Sequence, residues 1–201
     1  LCRDGYSVIS LDNYFTGITE NHIEGVEYRV GHTKNIFELI SETPDIVFHL
    51  GEYARVEKSF DDVALMWDLN KTGTFSVLEF CRDKKCKLVY AGSSTKFADD
   101  GDGRDQSPYA WVKATNTELV KNYSNWFGLN YAITYFYNVY GPRERSGSYG
   151  TLISIFTKMY LAGQPLKVTA PGTQVRNFTH VEDIVDGLVL VGEKGEGDGY
   201  G

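Results

Sequence analysis

Residues 87–95 read Lys-Leu-Val-Tyr-Ala-Gly-Ser-Ser-Thr, an apolar run at 88–91 that passes directly into a glycine and three small hydroxyls. A run this short, closed by turn residues, predicts a strand covered on both faces, as in a parallel sheet. The stretches at 6–11 (Tyr-Ser-Val-Ile-Ser-Leu), 45–50 (Asp-Ile-Val-Phe-His-Leu) and 131–136 (Tyr-Ala-Ile-Thr-Tyr-Phe) have the same character. Between them, 72–84 and 107–126 carry apolar residues at helical spacing. Strand and helix in alternation predict an α/β fold with a doubly wound parallel sheet.

In such sheets ligands bind beyond the carboxyl ends of the strands. That rule gathers Asp12, residues 51–53, residues 92–95 and Asn138 onto one surface. After Gly141-Pro142 the texture changes to a helix at 151–161, a Gly/Pro-punctuated stretch and a second helix from about 181. The expected division is a nucleotide-binding domain over 1–145 and the start of a smaller substrate-binding lobe over 146–201. A Rossmann-type dinucleotide fold also needs a first strand and a Gly-rich turn about 20 residues before its ribose-binding acid. Asp12 has only eleven residues before it, so the sequence reads as an internal part of a longer polypeptide, without that strand and without the C-terminal lobe.

With 201 residues, 42% of them hydrophobic, the chain can bury a substantial core. The formal charge of −7 disfavours a partner held through nucleic-acid phosphates, which needs a basic face. Cys2, Cys81 and Cys86 form an odd set without metal-ligand or Cys-x-x-Cys spacing, and the simplest reading is a reducing compartment. No apolar run reaches the roughly 20 residues needed to cross a bilayer, so no membrane partner and a cytoplasmic location are expected. The sequons at Asn70, Asn122 and Asn177 are then chance matches.

Ser107-Pro108-Tyr109 has the form of a helix entry, with serine as N-cap and proline at the first helical position. Tyr109 and Lys113 then lie one turn apart on one face. A tyrosine ionises near pH 10, and bringing it to about 7 takes roughly 4 kcal/mol of differential stabilisation, part of which a nearby ammonium supplies. Tyr-x-x-x-Lys alone is a common spacing on amphipathic helices. It gains meaning from the strand at 88–91, which delivers Ser93 or Ser94 to the ligand side of the sheet as a proton relay or a hydroxyl-holding group.

Seven blocks resemble, in order, the motif series of the UDP-galactose 4-epimerase-like extended short-chain dehydrogenases. They are Leu-Asp-Asn (11–13), His-Leu-Gly (49–51), Asn-Lys-Thr-Gly-Thr (70–74), Gly-Ser-Ser-Thr-Lys-Phe (92–97), Ser-Pro-Tyr-Ala-Trp-Val-Lys (107–113), Tyr-Phe-Tyr-Asn-Val-Tyr-Gly-Pro-Arg (135–143) and Arg-Asn-Phe-Thr-His-Val-Glu-Asp (176–183). The resemblance implies NAD as cofactor, a nucleotide-sugar substrate and a homodimer in which the helices near Thr72 and Ser107 pair. It assigns the adenosine ribose to Asp12 with Asn13 beside it, the loop over the pyrophosphate to His49, Leu50 and Gly51, and a place near the active-site strand to Asn70. Tyr109 becomes the base, Lys113 its partner on the cofactor and Ser93 the hydroxyl, with Ser94 the neighbouring alternative on the substrate. Asn138 contacts the sugar nucleotide and Arg176 clamps its diphosphate, a role that suits the guanidinium fork.

The sequence departs from this pattern in places. The Gly-x-x-Gly-x-x-Gly turn is absent, and Gly31-His32 stands where Gly-Asp is usual. Glu52, Arg55 and Glu57 bring charges close to the expected cofactor site; Arg55 either contacts phosphate or pairs with a glutamate. His180 reads as ordering the turn at 177–183. Asp99, Asp100, Asp102 and Asp105 form an acidic loop without the glutamate that closes a calcium loop, and no zinc-type cluster is present.

The expected reaction is epimerisation at C4 of a UDP-hexose through a transient 4-keto sugar. A 4,6-dehydratase of the same family resembles it except for an Asp-Glu pair after the hydroxyl residue, where this sequence has Ser94 and Thr95. A reductase or decarboxylase on the same fold, or a non-catalytic NAD-binding protein, are the alternatives.

Overall fold

The computed structural model describes residues 1–97, 103–145, 147, 149–168 and 170–201, with Lys96 as backbone only. The eight strands are β1 (Val8–Asp12), β2 (Val26–Val30), β3 (Ile46–His49), β4 (Lys87–Ser93), β5 (Tyr131–Phe136), β6 (Asn138–Tyr140), β7 (Phe178–His180) and β8 (Gly197–Tyr200). The helices are α1 (Ile36–Leu39), α2 (Val63–Met66), α3 (Gly73–Lys84), α4 (Pro108–Phe127), α5 (Leu152–Leu161) and α6 (Val181–Lys194), with π-helical turns over Trp67–Thr72 making α2 and α3 one continuous rod. Among the described residues, no helix is long and apolar enough to cross a membrane.

All pairings are parallel. β3, β4, β5 and β8 form one sheet in that order, β1 pairs with β2 in a second, and β6 pairs with β7 in a third. The alternation read from the sequence is therefore realised as a Rossmann-type α/β fold. Its sheet is in two parts, because no hydrogen-bonded ladder joins β1 to β3. The four sequence-predicted strands correspond to β1, β3, β4 and β5.

β4 is the axis of the core. Leu88, Val89 and Tyr90 have no exposed surface, and Leu88 and Tyr90 pack in one cluster with Val77, Leu78 and Phe80 of α3, Val120 and Tyr123 of α4 and Ile133 of β5. Each side chain of this size contributes about 1.5–3 kcal/mol when fully buried. Gly92 is required where β4 passes Tyr135, since a Cβ there would meet the ring at 2.6 Å. A smaller cluster of Tyr53, Met66, Leu69, Tyr109 and Val112 fastens the start of α4 to the rod below it.

α4 begins as the sequence predicts: the Ser107 hydroxyl accepts the Ala110 N–H at 3.1 Å, and Pro108 occupies the first turn. It ends at Gly128, whose φ of +70° lies in the left-handed region that closes a helix. His180 caps α6, its Nδ1 facing the Glu182 N–H at 3.4 Å.

The far end of the stretch 146–201 makes contacts with the main sheet. β8 is the fourth strand of the main sheet, and Lys87 of β4 donates to the carbonyls of Val191 and Gly192 in α6 at 3.0 and 2.7 Å. Gly192 lets α6 lie against Phe48 of β3, where a Cβ would meet the ring at 2.6 Å. α6 and β8 thus lie against the edge and face of the β3–β4–β5 sheet. A chain that leaves a sheet and comes back to its edge gives no local signal, because Gly-Asp-Gly-Tyr at 197–200 has no strand pattern.

Candidate active site

Two constellations meet at the carboxyl ends of β1, β3 and β4. The first is a cavity of about 320 Å³ lined by Asp12 and Asn13 at the end of β1, Gly31 and His32 after β2, and Leu50, Gly51, Glu52 and Arg55 after β3. Phe15, Tyr53 and Tyr149 add an aromatic wall, with Phe15 and Tyr149 edge to face at 5.3 Å. The Asp12 and Asn13 carboxyl and amide oxygens accept the backbone N–H groups of Tyr14 and Phe15 at 2.8 and 3.1 Å, which turns the chain sharply off the strand end. His32 accepts the Lys34 N–H through Nδ1 at 2.9 Å, and its Nε2 lies 3.3 Å from Asp68. Burial lowers its pKa, and the Asp68 carboxylate opposes that in part.

Of the predicted run at 49–51, Leu50 and Gly51 line the cavity and His49 does not. His49 is 3% exposed and turns to α3, where its Nε2 lies 3.0 Å from the Thr74 hydroxyl. Burial holds its imidazole below its ordinary pKa. Asn70 also stands behind the cavity. Its Oδ1 accepts the Tyr53 N–H at 2.6 Å and its Nδ2 donates to the Tyr53 carbonyl at 2.9 Å, so one side chain grips both polar groups of one residue in the lining loop. With no exposed surface it is out of reach of a ligand or a glycosyltransferase.

Arg55 is half-buried. It donates to the carbonyls of Ala54 and Tyr149, and its Nε has no partner among the described residues. Burial pulls its pKa down, with Glu144, Tyr109 and Tyr53 acting in the opposite sense. Both of its hydrogen-bond partners are carbonyls; the alternative of a glutamate pair is not what the side chain does here.

The second constellation is built on α4. The Tyr109 hydroxyl lies 3.4 Å from Ser93 Oγ, and Ser93 Oγ lies 2.9 Å from Thr95 Oγ1. Tyr109 and Ser93 are 9% and 8% exposed. The alternatives at 93 and 94 separate: Ser93 ends β4 facing Tyr109, and Ser94 begins a 3-10 turn. The Tyr109 N–H reaches Ser59 Oγ at 3.3 Å, which fixes the base of the ring. One turn on, Lys113 is 4% exposed and donates to the carbonyl of Ala91 and to the carboxylate of Glu52. Its ammonium lies 4.4 Å from the centre of the Tyr90 ring.

Glu52 is the group that sequence reasoning passed over. Its side chain is 4% exposed, and besides Lys113 its oxygens accept from Thr74 Oγ1 at 2.9 Å, Tyr90 OH at 3.3 Å and Asn116 Nδ2 at 3.4 Å. A signal was available: a carboxylate directly after a buried apolar strand must find a cation, and Lys113 and Asn116 stand at i and i+3 of one helix face.

The remaining predicted residues lie at the β6–β7 pair. Asn138 Nδ2 donates to the Asn177 carbonyl at 3.0 Å across the β6–β7 pair, and the exposed Arg176 donates to Val175 O and Gln174 Oε1 at 3.1 and 3.3 Å. They are brought near one another, but they are not part of the cavity lining. Asp99, Asp100 and Asp102 lie outside the described residues; Asp105 stands 3.6 Å from Arg104.

The model of a family described as NAD dependent epimerase/dehydratase matches residues 1–200. A UDP-glucuronate 4-epimerase of Thermodesulfobacterium geofontis is 34% identical over 165 residues, which is 78% of this chain and 50% of that protein. A UDP-N-acetyl-alpha-D-glucosaminuronate decarboxylase of Bacillus cytotoxicus is 27% identical over 94% of this chain and 64% of its own length. The crystal structure of a UDP-glucose 4-epimerase from Thermotoga maritima with UDP-glucose superimposes with a TM-score of 0.89 at 25% identity, covering 98% of this chain and 69% of that one. The chain thus spans half to about two thirds of the length of these proteins.

Proposed function

Because the chain belongs to the NAD-dependent epimerase/dehydratase family, we propose that it is the catalytic portion of a nucleotide-sugar epimerase that inverts C4 of a UDP-hexose by way of a 4-keto sugar. The observation that carries this reading is the buried contact of the Tyr109 hydroxyl with Ser93, one helical turn from the Lys113 ammonium.

The chain's residues fit the dinucleotide. Asp12 and Asn13 present a carboxylate and an amide at a strand end, the place where a ribose diol is held. Arg55 lines the cavity, and its buried Nε has no partner among the described residues; a guanidinium so placed suits a diphosphate. Bound there, NAD supplies the acceptor and donor of hydride. Ser93 holds the sugar hydroxyl, Tyr109 takes its proton as the adjacent carbon gives up hydride, and Lys113 stabilises the phenolate. Return of hydride to the opposite face needs the same residues and no further acid or base.

That requirement favours epimerase over dehydratase. At the strand end the neighbours of Ser93 are hydroxyls, Ser94 and Thr95, and the buried carboxylate of Glu52 is fully occupied by four donors. Asn138 and Arg176 are assigned to the sugar nucleotide on the far side of the crevice.

The test is direct. Incubated with UDP-glucose or UDP-galactose, the protein interconverts them, and Tyr109→Phe lowers turnover by about 10²–10⁴-fold while leaving NAD binding intact. Full turnover by the phenylalanine variant, or release of a dehydrated or decarboxylated sugar, overturns the assignment.

A further inference from the structure

Burying a carboxylate is costly unless it is paired and hydrogen-bonded, and Glu52 is provided for on every side. Donors come from α3 (Thr74), β4 (Tyr90) and α4 (Asn116 and Lys113). The supply extends one layer further. The single proton of the Thr74 hydroxyl goes to Glu52, so its oxygen accepts from His49, and the imidazole carries its proton on Nε2. Asn116 is held in turn by the Asn70 carbonyl at 2.9 Å. Five elements therefore converge to keep one negative charge beside Lys113.

We propose that Glu52 is the fixed counter-charge of the redox site, a positioning residue that acts through Lys113 to keep the site electrically neutral in both states of the cofactor. The inference rests on the epimerase reading above. Before reaction the site holds the nicotinamide cation, the Lys113 ammonium, the Tyr109 phenolate and the Glu52 carboxylate, which cancel. In the reaction a C–H bond of the sugar breaks and its electron pair leaves with the hydrogen to the nicotinamide, while the hydroxyl proton passes to Tyr109. The dihydronicotinamide and the phenol are then neutral, and Lys113 and Glu52 still cancel. Without Glu52 the Lys113 ammonium stands uncompensated beside the nicotinamide, so the cationic, oxidised form of the cofactor binds less well relative to the neutral, reduced form. An epimerase that must hand its hydride back is poorly served by such a bias.

The ionisable groups around this centre are His49 from β3, Tyr90 from β4, Tyr109 and Lys113 from α4, and Arg55 from the loop after β3. Burial lowers the Lys113 ammonium, and Glu52, with Tyr90 and Tyr109 behind it, more than reverses this. Glu52→Gln keeps the size of the side chain and removes its charge, with an amide N–H in place of the oxygen that accepts from Lys113.

The experiment is a comparison of wild type, Glu52→Gln, Glu52→Asp and Tyr109→Phe in the NAD-loaded protein. In Glu52→Gln the acid limb of kcat against pH moves down by about one to two pH units, the effect of one uncompensated charge roughly 6–12 Å away at an effective dielectric near 20. The ratio of NAD to NADH dissociation constants moves at least tenfold toward NADH, and reduced nicotinamide fluorescence accumulates on adding sugar nucleotide. Glu52→Asp keeps wild-type values of the ratio. A Glu52→Gln protein with the wild-type acid limb and cofactor ratio, whatever its turnover, overturns the proposal. If Glu52→Gln does not fold, a folded Glu52→Asp whose ratio has moved tenfold toward NADH overturns it. Failure of the underlying reading is distinguishable: Tyr109→Phe then retains turnover, while the cofactor ratio still reports on the charge of Glu52.

Discussion

Asn70 has no exposed surface, and both ends of its amide are engaged by the backbone of Tyr53. Its contribution is to the shape of the loop that lines the cavity, and its loss is a cost in stability. Asn70→Ala leaves a buried N–H and a buried carbonyl unpaired, which costs about 1–3 kcal/mol; the chemical-denaturation midpoint falls and the slope is unchanged. An unaltered midpoint would show that the two groups find other partners. The same residue marks the limit of reading sites from sequence. The placement of Asp12 at the cavity and of Ser93, Tyr109 and Lys113 together was legible from strand ends and helix spacing. Glu52 was seen only as a stray charge, since the donors that satisfy it lie up to 64 positions away along the chain.

Sequence patterning located apolar runs and helical periods, most plainly β4 and β5, which are buried on both faces. β3, β4 and β5 read as apolar runs, and α3, α4, α5 and α6 as helical periods. β2, Val-Glu-Tyr-Arg-Val, was not legible, because its charges belong to contacts made at a distance: Arg29 bonds Glu27, Glu42 and the Leu39 carbonyl. This edge has an acid signature. Hydrogen bonds from Arg29 hold the Glu42 carboxyl at about 2, below its unfolded value near 4.5, so its contribution to stability is present above pH 4.5 and is lost as pH falls toward 2. His49 and His32 act in an earlier window. Burial lowers both, so the unfolded chain takes up protons first, and stability that is complete above pH 6.5 declines as pH falls below it. The expected thermal-melt profile declines in two stages, below 6.5 and again below 4.5. Glu42→Gln flattens the second stage alone, and a single decline common to both proteins would refute the assignment. β1 and β2 are also joined to the main sheet by side chains only, Ile9 and Leu11 packing on the core. Their amides should exchange with solvent faster than those of β4 and β5; equal protection would mean that the two sheets open as one unit.

At the scale of the whole molecule, the layer of helices that carries the site also carries an apolar stripe on its outer side. Trp67, Lys71 and Phe75 follow at intervals of four along the rod formed by α2 and α3, and Trp111 of α4 stacks on Trp67 with ring centres 6.0 Å apart. Lys71 Nζ lies 5.9 Å from the Trp111 ring and donates to Thr115. Trp67, Phe75 and Trp111 are 44%, 50% and 39% exposed, and contiguous aromatic surface of this kind on two parallel elements marks an interface more often than a solvated face. A two-fold partner is the simplest occupant, because a symmetric pair meets such a stripe with its own copy. We therefore propose a homodimer packed through the Trp67–Lys84 rod and α4. In sedimentation the protein runs as a dimer, and Phe75→Asp shifts it to monomer while the far-ultraviolet circular dichroism is retained. Because α4 also bears Tyr109 and Lys113, dissociation should reach the site: the monomeric variant loses turnover by more than its change in NAD affinity accounts for. A wild-type protein that sediments as a monomer at all concentrations, or a Phe75→Asp protein that remains dimeric, places the interface elsewhere and leaves the stripe without this role.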